Sequence, residues 1–363
     1  MHQAVKRIAI NTGGGDAPGL NAVIHAAVLA AQRRGWKAYG IRDGYDGLLK
    51  GEEGGVIPLD AEIVAGITAI GGTILGTTNR GSPFQCTLAD GTVVDRSEEL
   101  VERFRAAGFD ALIAIGGDGS LSIALELHRR HGLPVVGVPK TIDNDLLGTD
   151  LTFGFDTAVN TATDALDKVV TTAQSHHRVM VVELMGRYAG WIALHAGLAG
   201  SADVVLIPEI PFDLDLVCQR ILAQEAGGKH YSIVVAAEGA SPRGQQLLTL
   251  EPGSSGRQPR LGGIGRLVAR EIEQRTGKET RELVLGHLQR GGQPSALDRL
   301  LALRLGAAAV RLIETGQFGH MAGLHGQRLV PVPLEEATRT LRLVPLDSDI
   351  IETARDLGIC LGD

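Results

Sequence analysis

The chain has 363 residues, too many for one small domain, so two lobes are expected. Hydrophobic residues at 44% and charged residues at 21% exclude wholesale disorder, and a net charge of −7 argues against a nucleic-acid or anionic-membrane surface. Any phosphorylated ligand must therefore be held by local cations, because the molecule as a whole repels it.

Apolar segments alternate with helix-period stretches, the pattern of parallel strands joined by helical crossovers, so an α/β fold is expected. In chain order the expected strands are Arg7–Asn11, Lys37–Ile41, Ala111–Ile115, Val135–Val138, Val179–Glu183, Val204–Ile207, Ile233–Ala237 and Leu283–Leu285. Several are unbroken β-branched or leucine runs, as expected where helices cover both faces of a sheet. Ala22–Arg33, Ser120–His131 and Thr157–Thr171 read as amphipathic helices, and the Gly/Ser/Pro/Arg-rich stretch Glu251–Gly263 as a loop. No apolar run approaches the roughly 20 residues of a membrane span. The short N-terminal lead into the first strand leaves no room for a secretory signal. Three scattered cysteines, Cys86, Cys218 and Cys360, suggest a reducing compartment, so a cytoplasmic location is expected.

Glycine is the outlier, with 49 residues, nearly double the usual share of about 7%. The glycines gather just after the expected strands, where ligands bind in open α/β sheets. The strand ends carry GGGDAPG (Gly13–Gly19), GGDGS (Gly116–Ser120), PKTIDND (Pro139–Asp145), MGR (Met185–Arg187), Glu238–Gly239 and GHLQRGG (Gly286–Gly292). That many polar strand ends in one chain point to a single extended site.

The first glycine turn runs strand, turn, helix, an arrangement whose N–H groups and helix dipole attract anions. It matches neither the Walker A pattern nor GxGxxG. In the second, Asp118 stands beside a phosphate cradle. That makes sense if a cation bridges them, and Mg²⁺ binds through one or two carboxylates plus phosphate oxygens. Asp118 is thus the expected metal ligand. In Thr141-Ile-Asp-Asn-Asp, Asp143 suits the task of accepting a proton from a hydroxyl that attacks phosphorus, with Asp145 supporting it or the metal. Arg178, Arg187, Arg281 and Arg290 flank strand–loop junctions, and guanidinium forks match phosphate geometry. His176, His177 and His287 lack the spacing of a zinc site.

Together these motifs, in this order over roughly residues 7 to 340, resemble the phosphofructokinase family. The resemblance implies two Rossmann-like lobes with mainly parallel sheets and the active site between them. Residues 1–154 plus about 289–339 would form the nucleotide and magnesium lobe, and 155–288 plus about 340–363 the sugar-phosphate lobe. It implies a glycolytic phosphotransferase that moves the terminal phosphoryl group of MgATP to the 1-hydroxyl of fructose 6-phosphate. Gly15, Tyr45, Gly117, Asp118, Gly119, Ser120 and Lys140 fall on the nucleotide and magnesium side. Thr141, Asp143, Asp145, Met185, Gly186, Arg187, Glu238, His287 and Arg290 fall on the sugar-phosphate side, with Asp143 as base and Thr141 and Arg187 beside it. Arg178 and Arg281 match arginines that reach the sugar phosphate of a neighbouring subunit, so a homo-oligomer, dimer or tetramer, is implied.

The chain departs from the family pattern in four places. Lys140 stands where ATP-dependent bacterial members have glycine and pyrophosphate-dependent members have lysine, whereas Gly119 matches the ATP type. Ile123 replaces a glycine beside the nucleotide. Arg80 is the best match for the donor-phosphate arginine, one residue out of the usual spacing. His25, Leu29 and Val170 replace the effector-binding arginines. A pyrophosphate-dependent enzyme is therefore the nearest alternative, followed by a non-catalytic sugar-phosphate sensor. A dinucleotide-dependent oxidoreductase lacks its GxGxxG signature.

Overall fold

The computed structural model describes residues 5–51, 54–79, 82–88, 90–251, 253 and 259–363. The fold is α/β and is built on two main sheets. The larger has seven strands, in the order Arg328–Pro333, His320–His325, Val135–Pro139, Ala111–Gly116, Arg7–Thr12, Lys37–Ile41, Val56–Leu59. The central strands run parallel and both edge strands antiparallel. The smaller is a four-stranded parallel sheet ordered Thr280–Val284, Val179–Leu184, Ser232–Ala237, Val204–Leu206.

Each sheet is covered on both faces, which is why its central strands are apolar throughout. On the larger sheet, Ile8, Ile10 and Ile113 pack under the helices Leu20–Gln32 and Ala296–Glu314. Ala9, Leu112 and Ala114 face the opposite way, toward Ser97–Ala106 and Asp118–His131. On the smaller sheet, Val182, Val205 and Val235 face the helices Phe155–His176 and Trp191–Ala199. Val181, Val204 and Val234 face Leu214–Ala226 and Ile264–Thr276.

The chain passes between the sheets more than once. After the smaller sheet is complete, Ala296–Glu314 returns to the larger one and His320–His325 pairs beside Val135–Pro139. The C-terminal segment then crosses back, with the Val205 N–H donating to Cys360 O and the Asp213 N–H to Gly362 O. Val344, Ile351 and Leu361 join the core of the smaller sheet.

The eight expected strands are all present, within a residue or so at their ends except Leu283–Leu285, which begins earlier, at Thr280. Val56–Leu59, His320–His325 and Arg328–Pro333 were not expected. Pro58, Pro331 and Pro333 disguise the two edge strands, where a missing N–H is tolerated. The stretch Glu251–Gly263 is not wholly loop, because Arg260–Leu261 pairs with Thr249–Glu251. The long helix also runs further than expected, to His176. Among the described residues all the cysteines are free, and no helix is long and apolar enough to cross a membrane.

Candidate active site

Parallel neighbours place their carboxyl ends side by side. Thr12, Gly116 and Pro139 therefore deliver the first three motifs to one edge of the larger sheet. The turns are then stitched together. The Gly13 N–H donates to Ile115 O (2.9 Å), and the Lys140 N–H to Gly116 O (2.9 Å). The Gly14 N–H donates to Thr78 O, and the Thr77 hydroxyl to Gly14 O at 2.7 Å. A Cβ on Gly13 would lie 2.7 Å from Ser120 Oγ and 3.2 Å from its Cβ, so the two glycine turns meet at a close approach that a side chain there would crowd. Around Gly119, by contrast, a Cβ would meet nothing within 4 Å. Thr77 and Thr78 were not anticipated, because two threonines bracing a turn carry no motif of their own.

Two cations brace the first turn from different sides. The Lys140 ammonium donates to Gly15 O, and Arg290 Nη1 donates to Asp16 O at 3.1 Å. Lys140 is buried, and this together with the Arg290 charge pushes its ammonium down to about 8. Arg290 ends the short turn Gly286–Arg290 that follows the smaller sheet, so this contact joins the two halves of the site.

The Thr141–Asp145 loop is the most buried part of the site. Asp143 is 4% exposed, and its Oδ1 is buried without a hydrogen-bond partner. Burial pushes its carboxyl up, against the pull of Arg290, Arg187 and Lys140, while Asp118 adds to the rise. Asp145 is pushed up to about 7 by burial, then by Asp143 and Asp118. The loop is shaped from within: the Asp143 N–H donates to Thr141 Oγ1 at 3.0 Å, and Asn144 adopts φ 53°. Thr152 donates its hydroxyl to Thr141 O and its N–H to Asn144 Oδ1.

The smaller sheet supplies the opposite wall. Gly186 has φ 137°, and a Cβ there would lie 2.7 Å from Ala189 O, so the turn after Val179–Leu184 requires glycine. The next residue, Arg187, adopts φ 51° and donates its N–H to Glu238 Oε1 at 3.1 Å. Glu238 is pushed up to about 7, first by burial and then by Asp143, with the Arg187 bond opposing. Asp118, Lys140, Asp143, Asp145, Arg187, Glu238 and Arg290 thus act on one another electrostatically, although they come from strand ends of both sheets. Met185 is half-buried beside the core of the smaller sheet, and His287 is exposed.

Beside the glycine turns lies a mainly apolar cavity lined by Asn11, Gly13, Tyr45, Leu49, Ser120 and Ile123, among others. The Tyr45 hydroxyl is buried there beside Asn11, and burial pushes it above its ordinary range. Ile123 forms part of this wall, where a glycine would leave a larger space.

Two arginines stand elsewhere. Arg178 precedes Val179–Leu184, and Arg281 lies near the start of Thr280–Val284, so both sit at the end of their strands opposite the site. At about 3.3 Å per residue the strand's carboxyl end is ~20 Å from Arg178 and ~10 Å from Arg281, farther than either side chain extends. Both pair with Glu279, Arg178 at 2.8 Å and Arg281 at 2.5 Å. Arg80 lies outside the described residues.

The side chains gathered here offer oxygen donors: the carboxylates of Asp118, Asp143 and Asp145 and the hydroxyls of Ser120 and Thr141. Among the described residues no group of three or more His, Cys, Asp or Glu could hold a metal alone. Oxygen donors of this kind are the type that Mg²⁺ takes, completing its shell with phosphate and water.

A fold with glycine turns, a buried carboxylate and converging cations defines a phosphoryl-transfer site in form. The family model for phosphofructokinase matches residues 7–313. An ATP-dependent 6-phosphofructokinase of Chloroflexus aggregans is 52% identical over 363 residues, covering 100% of this chain and 99% of that protein. A pyrophosphate–fructose 6-phosphate 1-phosphotransferase of Streptomyces coelicolor is 49% identical over 340 residues, covering 93% of this chain and 96% of that protein. Among solved structures, Pichia pastoris phosphofructokinase in the T-state superposes with TM-score 0.79 at 32% identity, over 99% of this chain. The chain spans 37% of the length of that yeast protein. This chain belongs to the phosphofructokinase family.

Proposed function

We propose that the chain is an ATP-dependent 6-phosphofructokinase, transferring the terminal phosphoryl group of MgATP to the 1-hydroxyl of fructose 6-phosphate. The observation that carries this reading is Asp143. A buried carboxylate with a free oxygen, flanked by Arg187, Arg290 and Lys140, is equipped to take a proton from an alcohol beside a phosphoryl group. In this reading the Asp143 carboxylate accepts the 1-hydroxyl proton as oxygen attacks phosphorus in line. Arg290 and Lys140 sit where charge on the transferred group needs compensation, and the N–H groups of the glycine turns orient the donor phosphates. Asp118, with Asp143 or Asp145 nearby, would hold Mg²⁺, which when bound neutralises phosphate charge. Arg187, Glu238, Met185 and His287 would position the sugar phosphate, and Tyr45 and Ile123 would line the nucleoside side. The lobe of the larger sheet would thus take the nucleotide, and that of the smaller sheet the sugar phosphate.

Arg178 and Arg281 would serve the site of a neighbouring subunit, which makes the enzyme a homo-oligomer with shared sites. Their place at the far strand ends supports this, because neither can serve its own chain's site. A cytoplasmic location fits the free thiols.

Pyrophosphate as donor is the second reading. It is favoured by Lys140, and relatives named for either donor differ little in identity, at 52% and 49%. The open space at Gly119 favours ATP, because an aspartate there would put charge against an inner phosphate. Assay with fructose 6-phosphate and ATP, ADP or pyrophosphate decides between them. Turnover with MgATP is expected, and turnover with pyrophosphate alone would overturn the donor assignment.

A further inference from the structure

The C-terminal crossing segment touches both halves of the site, chiefly through Arg342. Arg342 donates its N–H to Asp145 O at 2.8 Å, and Leu341 forms a bridge with Leu146. Arg342 Nη1 donates to Asn144 O at 3.3 Å. On its other side the guanidinium stacks over the Trp191 ring, 4.4 Å from the centroid, and Arg342 O accepts from Trp191 Nε1 at 2.9 Å. Trp191 opens the helix that follows the Met185–Arg187 turn. Glu209 doubles the link, accepting from the Gly190 N–H (3.0 Å) and the Val344 N–H (2.9 Å) with the same oxygen.

The contacts are placed where they matter. Asn144 holds a left-handed φ of 53°, which an asparagine tolerates at some cost, so its carbonyl direction needs outside support. Asp143 itself has an oxygen with no hydrogen bond, so its own side chain does little to fix the loop. The direction of that carboxylate therefore depends on the loop backbone, which Thr141 and Thr152 hold on one side and Arg342 holds at the carbonyls of Asn144 and Asp145. Burial lowers the Arg342 guanidinium, and the charge of Asp150 opposes that shift.

We propose that Arg342 is a positioning residue: it ties the Thr141–Asp145 loop to the Trp191 helix and so sets the direction of Asp143 relative to Arg187. The proposal rests on Asp143 being the base, and its test separates the two claims. It is a double-mutant cycle of Arg342→Ala and Asp143→Asn, read by kcat and by KM for both substrates.

Arg342→Ala is expected to lower kcat ~10-fold, as misplacement of a catalytic group does, with each KM within ~threefold of wild type. In the Asp143→Asn background the same substitution should lower the residual kcat by less than ~twofold, because the group it orients is already gone. A full ~10-fold further loss in that background would show that Arg342 acts independently of Asp143, and wild-type kcat in Arg342→Ala would show that it does not act. Either overturns the positioning role while leaving Asp143 as base. Undiminished kcat in Asp143→Asn alone would overturn the base assignment and the proposal with it. Should Arg342→Ala fail to fold, Trp191→Phe removes the indole N–H and weakens the stack. A ~threefold kcat loss that vanishes in the Asp143→Asn background is then expected, and an additive loss overturns the proposal.

Discussion

The two sides of the site are made of different material. The side at Gly13–Gly15 and Gly116–Ser120 is chiefly backbone: tight turns, a helix start, and open space around Gly119. The side at Thr141–Asp145 and Met185–Glu238 is buried side chain, with carboxyl groups pushed up by desolvation. Backbone N–H groups bind anions without a charge of their own and tolerate a range of donors. Buried carboxyls raised in this way instead favour their neutral form until a cation or substrate stabilises the charge. The first side should therefore fail through shape or added charge, and the second through loss of a single atom's chemistry.

The largest effect is expected on the second side. Asp143→Asn should lower kcat by at least ~10²-fold, with much smaller changes in KM, because the amide keeps the shape and loses the basicity. The base works deprotonated and its carboxyl is raised, so wild-type kcat should fall as pH drops, from above the ordinary carboxylate range near ~4. A variant keeping more than a third of the wild-type rate would remove Asp143 from the chemistry.

On the backbone side, Gly119→Asp should cost ~30-fold or more in kcat/KM for MgATP through repulsion of the inner phosphate. The open space at that position predicts a melting temperature close to wild type, so the loss would be one of function alone. Unchanged use of MgATP would show that this turn does not read the donor.

How much of this contrast was legible in the sequence follows from how each side is built. The glycine turns were visible because glycine after a strand is a local signal, and Asp118, Asp143 and Arg290 were visible because each sits within a motif. The central strands were equally plain, as apolar runs. What did not show was anything that depends on distant segments meeting. Nothing local links Thr77 to Gly14, Arg342 to Asn144, or Lys140 to the carbonyl of Gly15. The edge strands Val56–Leu59 and Arg328–Pro333 were hidden by prolines that only an edge position permits. The roles of Arg178 and Arg281 came from resemblance, and the chain by itself shows only that both stand away from the site.

That separation sets up the third test. Mixing inactive Arg281→Ala chains with inactive Asp143→Asn chains should restore up to about a quarter of wild-type activity if each site draws on two subunits. This is the share expected when subunits exchange at random in equal amounts. No recovery, with hybrids demonstrated by mass spectrometry, would place the whole site within one chain.

The smallest effect concerns the stored cost on the side-chain wall. Glu238 is raised to about 7 in the folded chain and returns to about 4.5 on unfolding. Between these values the native state binds more protons than the unfolded state, so this group's contribution to stability falls as pH rises from about 4.5 through 7. Below that window it costs nothing, and above it the full penalty is present. Glu238→Gln keeps an oxygen to accept from the Arg187 N–H and removes the charge. The substrate-free variant should therefore melt ~1–4 °C above wild type at pH 8, and together with it at pH 4.5. Partial exposure of the group keeps the gain at this modest size. If Glu238 holds the sugar as proposed, the variant's KM for the sugar phosphate should rise at the same time. Equal melting at both pH values would mean that water already relieves Glu238, and that the side-chain wall holds less unfavourable charge than its burial implies.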